Sequence, residues 1–105
     1  MSKKKILTAT LYKVEGTQEK IILEPKTRLA TLQKLVGGYI EVICLVPFKE
    51  QKEENYTNAK DLVINEEGLL LNLPTNPFSR LVSKGTIWGR EDFRGNIVLV
   101  DGCLP

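Results

Sequence analysis

Between Leu32 and Ile43 the chain must stop a helix, turn on two glycines and start a strand, and no other stretch limits its fold as tightly. Leu32, Leu35 and Val36 stand at i, i+3, i+4 spacing and so share one helical face. Gly37 and Gly38 then open backbone conformations with positive φ that other residues reach only at a cost, and Gly38 is the expected left-handed position. Val42 and Ile43 follow with strong β-propensity. A corner of this kind serves either close packing or the approach of a ligand to the backbone.

The chain has 105 residues, which predicts a single domain over 1–105, with an N-terminal hairpin at 5–24 and a core at 27–102. A chain of this length buries roughly two-thirds of its unfolded surface, enough for a core without staples. Its hydrophobic fraction of 42% and charged fraction of 27% are ordinary for a globular protein. No apolar run approaches the roughly 18 residues that span a bilayer. Met1 to Lys5 looks like the start of a signal peptide, but Thr8, Thr10 and Lys13 interrupt the apolar stretch that should follow. The expected location is therefore the cytoplasm, without membrane contact.

A net charge of +2 makes no electrostatic case for binding duplex nucleic acid. Cys44 and Cys103 define no disulfide framework and no CxxC pair, and Cys44 reads as a buried reduced thiol inside a strand. The absence of histidine removes the side chain that titrates nearest neutrality, and with it most nucleophilic triads and zinc sites. The expectation is a protein that is not an enzyme and needs no cofactor.

Lys5–Val14 and Glu19–Glu24 read as a hairpin around a turn at 15–18. Thr27 is the expected N-cap of a helix from Arg28 to Val36. Tyr39–Pro47 reads as a third strand, Phe48–Tyr56 as a solvated charge-mixed loop, and Asp61–Asn65 as a buried strand entering a turn at 66–68. Gly68 stands where that turn can take positive φ. Pro74 and Pro77 brace a loop that opens a short helix through Val82. Gly85–Gly89 and Asn96–Val100 complete the strands. This order predicts an α+β fold, a small and largely antiparallel sheet with two short helices.

Three groups of residues now stand in a fixed order. They are Leu35-Val36-Gly37-Gly38-Tyr39-Ile40-Glu41, then Asn65-Glu66-Glu67-Gly68 with Leu73-Pro74-Thr75-Asn76, then Gly85-Thr86-Ile87-Trp88-Gly89 with Ile97-Val98-Leu99-Val100. Together they resemble a family of small phage and prophage proteins that includes the Thoeris anti-defence sponges of the Tad-two type. The resemblance covers about Thr27 to Gly102. It implies a non-enzymatic protein in the infected bacterial cell that captures cyclic ADP-ribose-type immune signals. Some relatives also hold cyclic oligonucleotides. Family members of this type form homo-oligomers, commonly tetramers built as pairs of dimers, with ligand between protomers.

A sponge needs tight binding without turnover, and nanomolar affinity corresponds to about 12 kcal/mol. Stacking on an aromatic ring contributes roughly 1–3 kcal/mol per base, and hydrogen bonds to charged groups roughly 1.5–3 kcal/mol each. Trp88, flanked by Gly85 and Gly89, is either such a plate or a core side chain. Tyr39 follows Gly37 and Gly38, whose amides can approach a phosphate, or else it packs on the sheet. Asn76 reads a base or ribose edge from the proline-braced loop, or caps the helix after Pro77. Arg80 forks onto a phosphate or sits in solvent. Asn65 makes a tight turn with Glu66 and Glu67, or places a carboxylate on ribose hydroxyls.

Glu66 and Glu67 are adjacent and point apart on extended backbone, which argues against a metal site. Lys3 to Lys5 reads as a solvated terminus. The leading expectation is thus a cyclic-nucleotide sponge with Gly38, Tyr39, Asn65, Asn76, Arg80 and Trp88 at the ligand. The alternative is a module that docks a host protein through the sheet or the Phe48–Tyr56 loop, and single-strand nucleic-acid binding through Trp88 and Tyr39 is a weaker third.

Overall fold

A computed structural model describes residues 6–45, 60–83 and 92–101. The elements are β1 (Leu7–Tyr12), β2 (Gln18–Leu23), α1 (Arg28–Val36), β3 (Ile40–Leu45), β4 (Lys60–Asn65), α2 (Ser79–Ser83) and β5 (Ile97–Val100). Five antiparallel strands form one sheet in the order β2-β1-β5-β4-β3, so the small antiparallel α+β fold is as the sequence predicts. The strand expected at 85–89 lies outside the described residues, as does the Phe48–Tyr56 loop.

The link from β2 to β3 joins the two edges of the sheet, and α1 makes that crossing over one face. It buries Leu32 and Val36 against Ala9, Leu11, Leu23, Val63, Val98 and Val100. Side chains alternate across a strand, so the neighbours of these residues point to the other face. There Leu62, Ile64 and Ile97 meet Tyr12, Ile43, Phe93 and Val82 of α2. Among the described residues the helix on this second face, α2, has 5 residues.

Four expectations need correction. Thr27 stands at the N-cap of α1, but its hydroxyl makes no capping bond. Its carbonyl instead accepts the amide of Thr31 at 2.9 Å, so the helix begins on backbone bonding. The left-handed residue after α1 is Gly37, with φ 83°, and not Gly38. The turn after β4 places its left-handed residue at Asn72, φ 54°, and not at Gly68. Cys44 is exposed rather than buried, near the end of β3, which is the outermost strand on its side among the described residues.

The apolar run Leu69-Leu70-Leu71 belongs to no strand. The turn continues from Glu66 to Asn72, with Leu71 N–H donating to Glu67 O at 2.8 Å and Leu73 N–H to Gly68 O at 2.9 Å. The three leucines are 74%, 81% and 54% exposed, so this apolar turn faces solvent.

Candidate functional site

Two corners of the molecule collect the polar residues singled out by the sequence. The first lies where α1 ends and β3 and β4 meet. Both Gly37 N–H and Gly38 N–H donate to the Gln33 carbonyl, at 2.9 and 3.0 Å, and close the helix. These amides therefore serve the helix C-terminus and are not presented to a phosphate, which corrects the role expected for Gly38. A Cβ added at Gly38 would lie 3.2 Å from Asn65 Nδ2. Glycine here lets the chain pass over that amide.

Asn65 is buried at the end of β4. Its Nδ2 donates to Val36 O at 3.0 Å, and its Oδ1 accepts from Glu67 N–H at 2.8 Å. The side chain thus fastens the helix end to the turn. Glu66 N–H donates to Tyr39 O at 2.9 Å, which ties the start of β3 to the same turn. The Tyr39 side chain is 67% exposed, available to a ligand rather than packed on the sheet.

Beside Asn65 opens a cavity of about 140 Å³. Glu41 of β3, Ile64 and Asn65 of β4, and Glu66, Gly68 and Leu69 of the turn form most of its wall, and Asp92 and Arg94 close it. Gly68 is required for close approach: a Cβ there would stand 3.0 Å from Arg94 Cβ. Arg94 also donates from Nη1 to Leu73 O at 3.1 Å, which holds the turn against the segment before β5. Among the described residues, three carboxylates and one guanidinium make the wall net acidic at neutral pH. Such a wall accepts hydrogen bonds from hydroxyl and amino groups and repels phosphate. Among the described residues no group of His, Cys, Asp and Glu could hold a metal ion.

The second corner is sealed. Asn76 is 1% exposed, and its Nδ2 donates to both Tyr12 O and Gly95 O at 2.9 Å. Its Oδ1 accepts from Phe78 N–H at 2.8 Å, which caps the start of the α2 segment. Ser79 Oγ donates to Asn76 O at 2.7 Å. The rings of Tyr12 and Phe78, both tied to Asn76 through their backbone, lie 4.9 Å apart. Burial, reinforced by the Asp101 charge, pushes the Tyr12 hydroxyl above its ordinary value of 10.0. The Asn76 amide is saturated by the protein's own backbone, so it offers no edge to a base or ribose in this conformation.

Of the five expected ligand residues that are described, only Asn65 lines the cavity. Gly38 backs it, and Tyr39 adjoins it through the backbone. Arg80 is exposed on α2, Asn76 is sealed in the other corner, and Trp88 lies outside the described residues. The wall residues that were not singled out are Glu41, Asp92 and Arg94. Glu41 carried a signal, a lone charge within the otherwise apolar run of β3. Asp92 and Arg94 stand in the charged stretch between the last two expected strands, with no pattern that marks a site.

The chain belongs to the family described as a domain of unknown function, DUF3846, which matches residues 9–103. No curated protein and no solved structure matches it.

Proposed function

We propose that this protein binds a cyclic nucleotide signal and withholds it from its effector without degrading it, as the resemblance to anti-defence sponges of phage implies. The supporting observation is the cavity beside Asn65, with its carboxylate wall and the exposed Tyr39 at the same corner. Glu41, Glu66 and Asp92 suit the hydroxyls of a ribose or an exocyclic amine. Tyr39 offers a face on which a base can stack. At about 140 Å³ the cavity is smaller than the roughly 300 Å³ or more of ordinary ligand pockets. It takes one nucleoside portion, while the phosphates of the ligand stay outside the acidic wall. A homotetramer of paired dimers, with ligand shared between copies, fits that partial enclosure.

Titration calorimetry with cyclic ADP-ribose isomers and cyclic dinucleotides tests the reading. The expected result is submicromolar binding to one of them, with intact ligand released on heat denaturation. No binding to any of them, or recovery of a cleaved product, overturns it.

A second reading is a module that docks a host protein. The exposed run Leu69-Leu70-Leu71 favours it, because contiguous apolar side chains in solvent mark interaction surfaces. Co-purification from host lysate that is lost in Leu70→Lys, with no nucleotide bound, would establish that alternative.

A further inference from the structure

We infer that Arg94 is a positioning residue for the cavity: without touching a ligand, it clamps the turn at 66–73 and so sets where that part of the wall stands. Its role toward a ligand rests on the proposed function, and the clamp itself on the bonds of the turn. The turn contributes Glu66, Gly68 and Leu69 to the wall. Internally it is one unit, with Leu71 N–H donating to Glu67 O, Asn72 N–H to Leu69 O at 3.0 Å and Leu73 N–H to Gly68 O. A unit closed on itself can still tilt, so its place depends on what fastens its two ends.

The first end is held by the sheet. Gly68 N–H donates to Asn65 O at 3.1 Å, Glu67 N–H to the Asn65 side chain and Glu66 N–H to Tyr39 O. The far end is held by a side chain, through Arg94 Nη1 donating to Leu73 O at 3.1 Å. The stem of the same arginine lies on Gly68, where an added Cβ would come within 3.0 Å of Arg94 Cβ. Gly68 and Leu73 are the two residues that close the turn, and Arg94 meets both. Its own backbone is fixed by the bridge to Thr75 and by Gly95 N–H donating to Pro74 O at 2.8 Å. The guanidinium therefore reaches back to the turn from an anchored base.

Arginine suits this task. Its planar donors are pre-organised, so committing one of them to a carbonyl loses little further freedom. A single such bond adds little to the stability of the whole fold, and its loss is felt first in the segment that it holds. A wall left loose by its support binds less tightly.

Amide hydrogen exchange on the folded protein reads the clamp without any ligand. In Arg94→Met, which keeps an unbranched stem and loses every donor, the amides of Leu71, Asn72 and Leu73 should exchange roughly tenfold faster while those of β1 stay unchanged. Gly68→Ala wedges a methyl group against Arg94 Cβ and against Arg94 O and Asn65 O, each 3.4 Å away, and should speed the same amides. Both variants break one contact, so the double variant should exchange no faster than the faster single one. In calorimetry with the cyclic nucleotide that the parent binds best, each variant should weaken binding roughly tenfold.

Unchanged exchange in both variants, or effects that multiply in the double variant, overturns the clamp. Weaker binding in Arg94→Met alone, with Gly68→Ala binding like the parent, overturns the positioning role and makes Arg94 a ligand contact. If Arg94→Met does not fold, Gly68→Ala decides by the same two readouts. A parent that binds none of the tested nucleotides sinks the proposed function, and the exchange pattern then decides the clamp by itself.

Discussion

Asn65 and Asn76 are chemically the same side chain used in two corners, and the contrast shows how a buried amide can be structural and still differ in what it leaves open. Each is nearly inaccessible, at 4% and 1% exposure, and each binds backbone groups far away in sequence. Asn76 takes three backbone partners and is fully enclosed, so nothing can reach it. Asn65 takes two, and its remaining flank is the wall of a cavity edged by Glu41, Glu66 and Arg94. A sealed amide supports only the fold. An amide beside a cavity fixes the fold and shapes the surface a ligand meets.

The largest effect should come from the sealed corner. Asn76→Ala leaves the carbonyls of Tyr12 and Gly95 and the amide of Phe78 without their partner, and should cost about 3 kcal/mol or more. Chemical denaturation measures this, and a loss below about 1 kcal/mol would show that water replaces the side chain, so that the corner is not sealed.

Asn65→Ala breaks two such bonds and should cost about 2 kcal/mol, with ligand affinity falling as well. If stability falls but calorimetric binding of the best cyclic nucleotide does not, the cavity is not the site.

The helix exit sharpens the comparison further. Gly37→Ala meets no neighbouring atom but must hold φ 83°, so it should destabilise by about 1 kcal/mol through backbone strain. Gly38→Ala has no such strain. Its Cβ instead presses on Asn65 Nδ2 at 3.2 Å, so it should disturb binding more than stability. Equal melting temperatures for the Gly37→Ala variant and the parent would contradict the left-handed assignment.

The smallest effect belongs to Tyr12. Its hydroxyl holds the proton more tightly folded than unfolded, so its contribution is present below the unfolded value near 10 and fades as pH rises past the folded value. Melting curves between pH 8 and 11 should therefore decline, and Tyr12→Phe should decline less. Parallel curves would remove Tyr12 from the alkaline transition.

Much of the architecture was legible in the sequence because it rests on short-range periodicity. The helix Arg28–Val36, its buried residues Leu32 and Val36, and the hairpin of β1 and β2 follow from spacing and turn residues within a few positions of one another. The candidate site was less legible. Asn65, Gly38 and Tyr39 meet at one corner, Asn76 and Arg80, expected beside them, stand elsewhere, and Arg94 and Asp92 reach the cavity across the chain and carry no local mark. The leucines at 69–71 look like a strand or core by composition, and hydrogen bonds within the turn place them in solvent instead.

Composition and pattern therefore determined the kind of fold, the place of each described element and the lack of histidine chemistry, since these depend on residue identity and on contacts between near neighbours. Only the tertiary structure decided the strand order, which glycine turns left-handed and which asparagine is sealed. Each of those depends on partners separated by tens of residues, as with Asn76 and Tyr12, which are 64 apart in sequence and joined by a 2.9 Å hydrogen bond. No local preference encodes such a meeting; it arises when two faces of one sheet are filled at once.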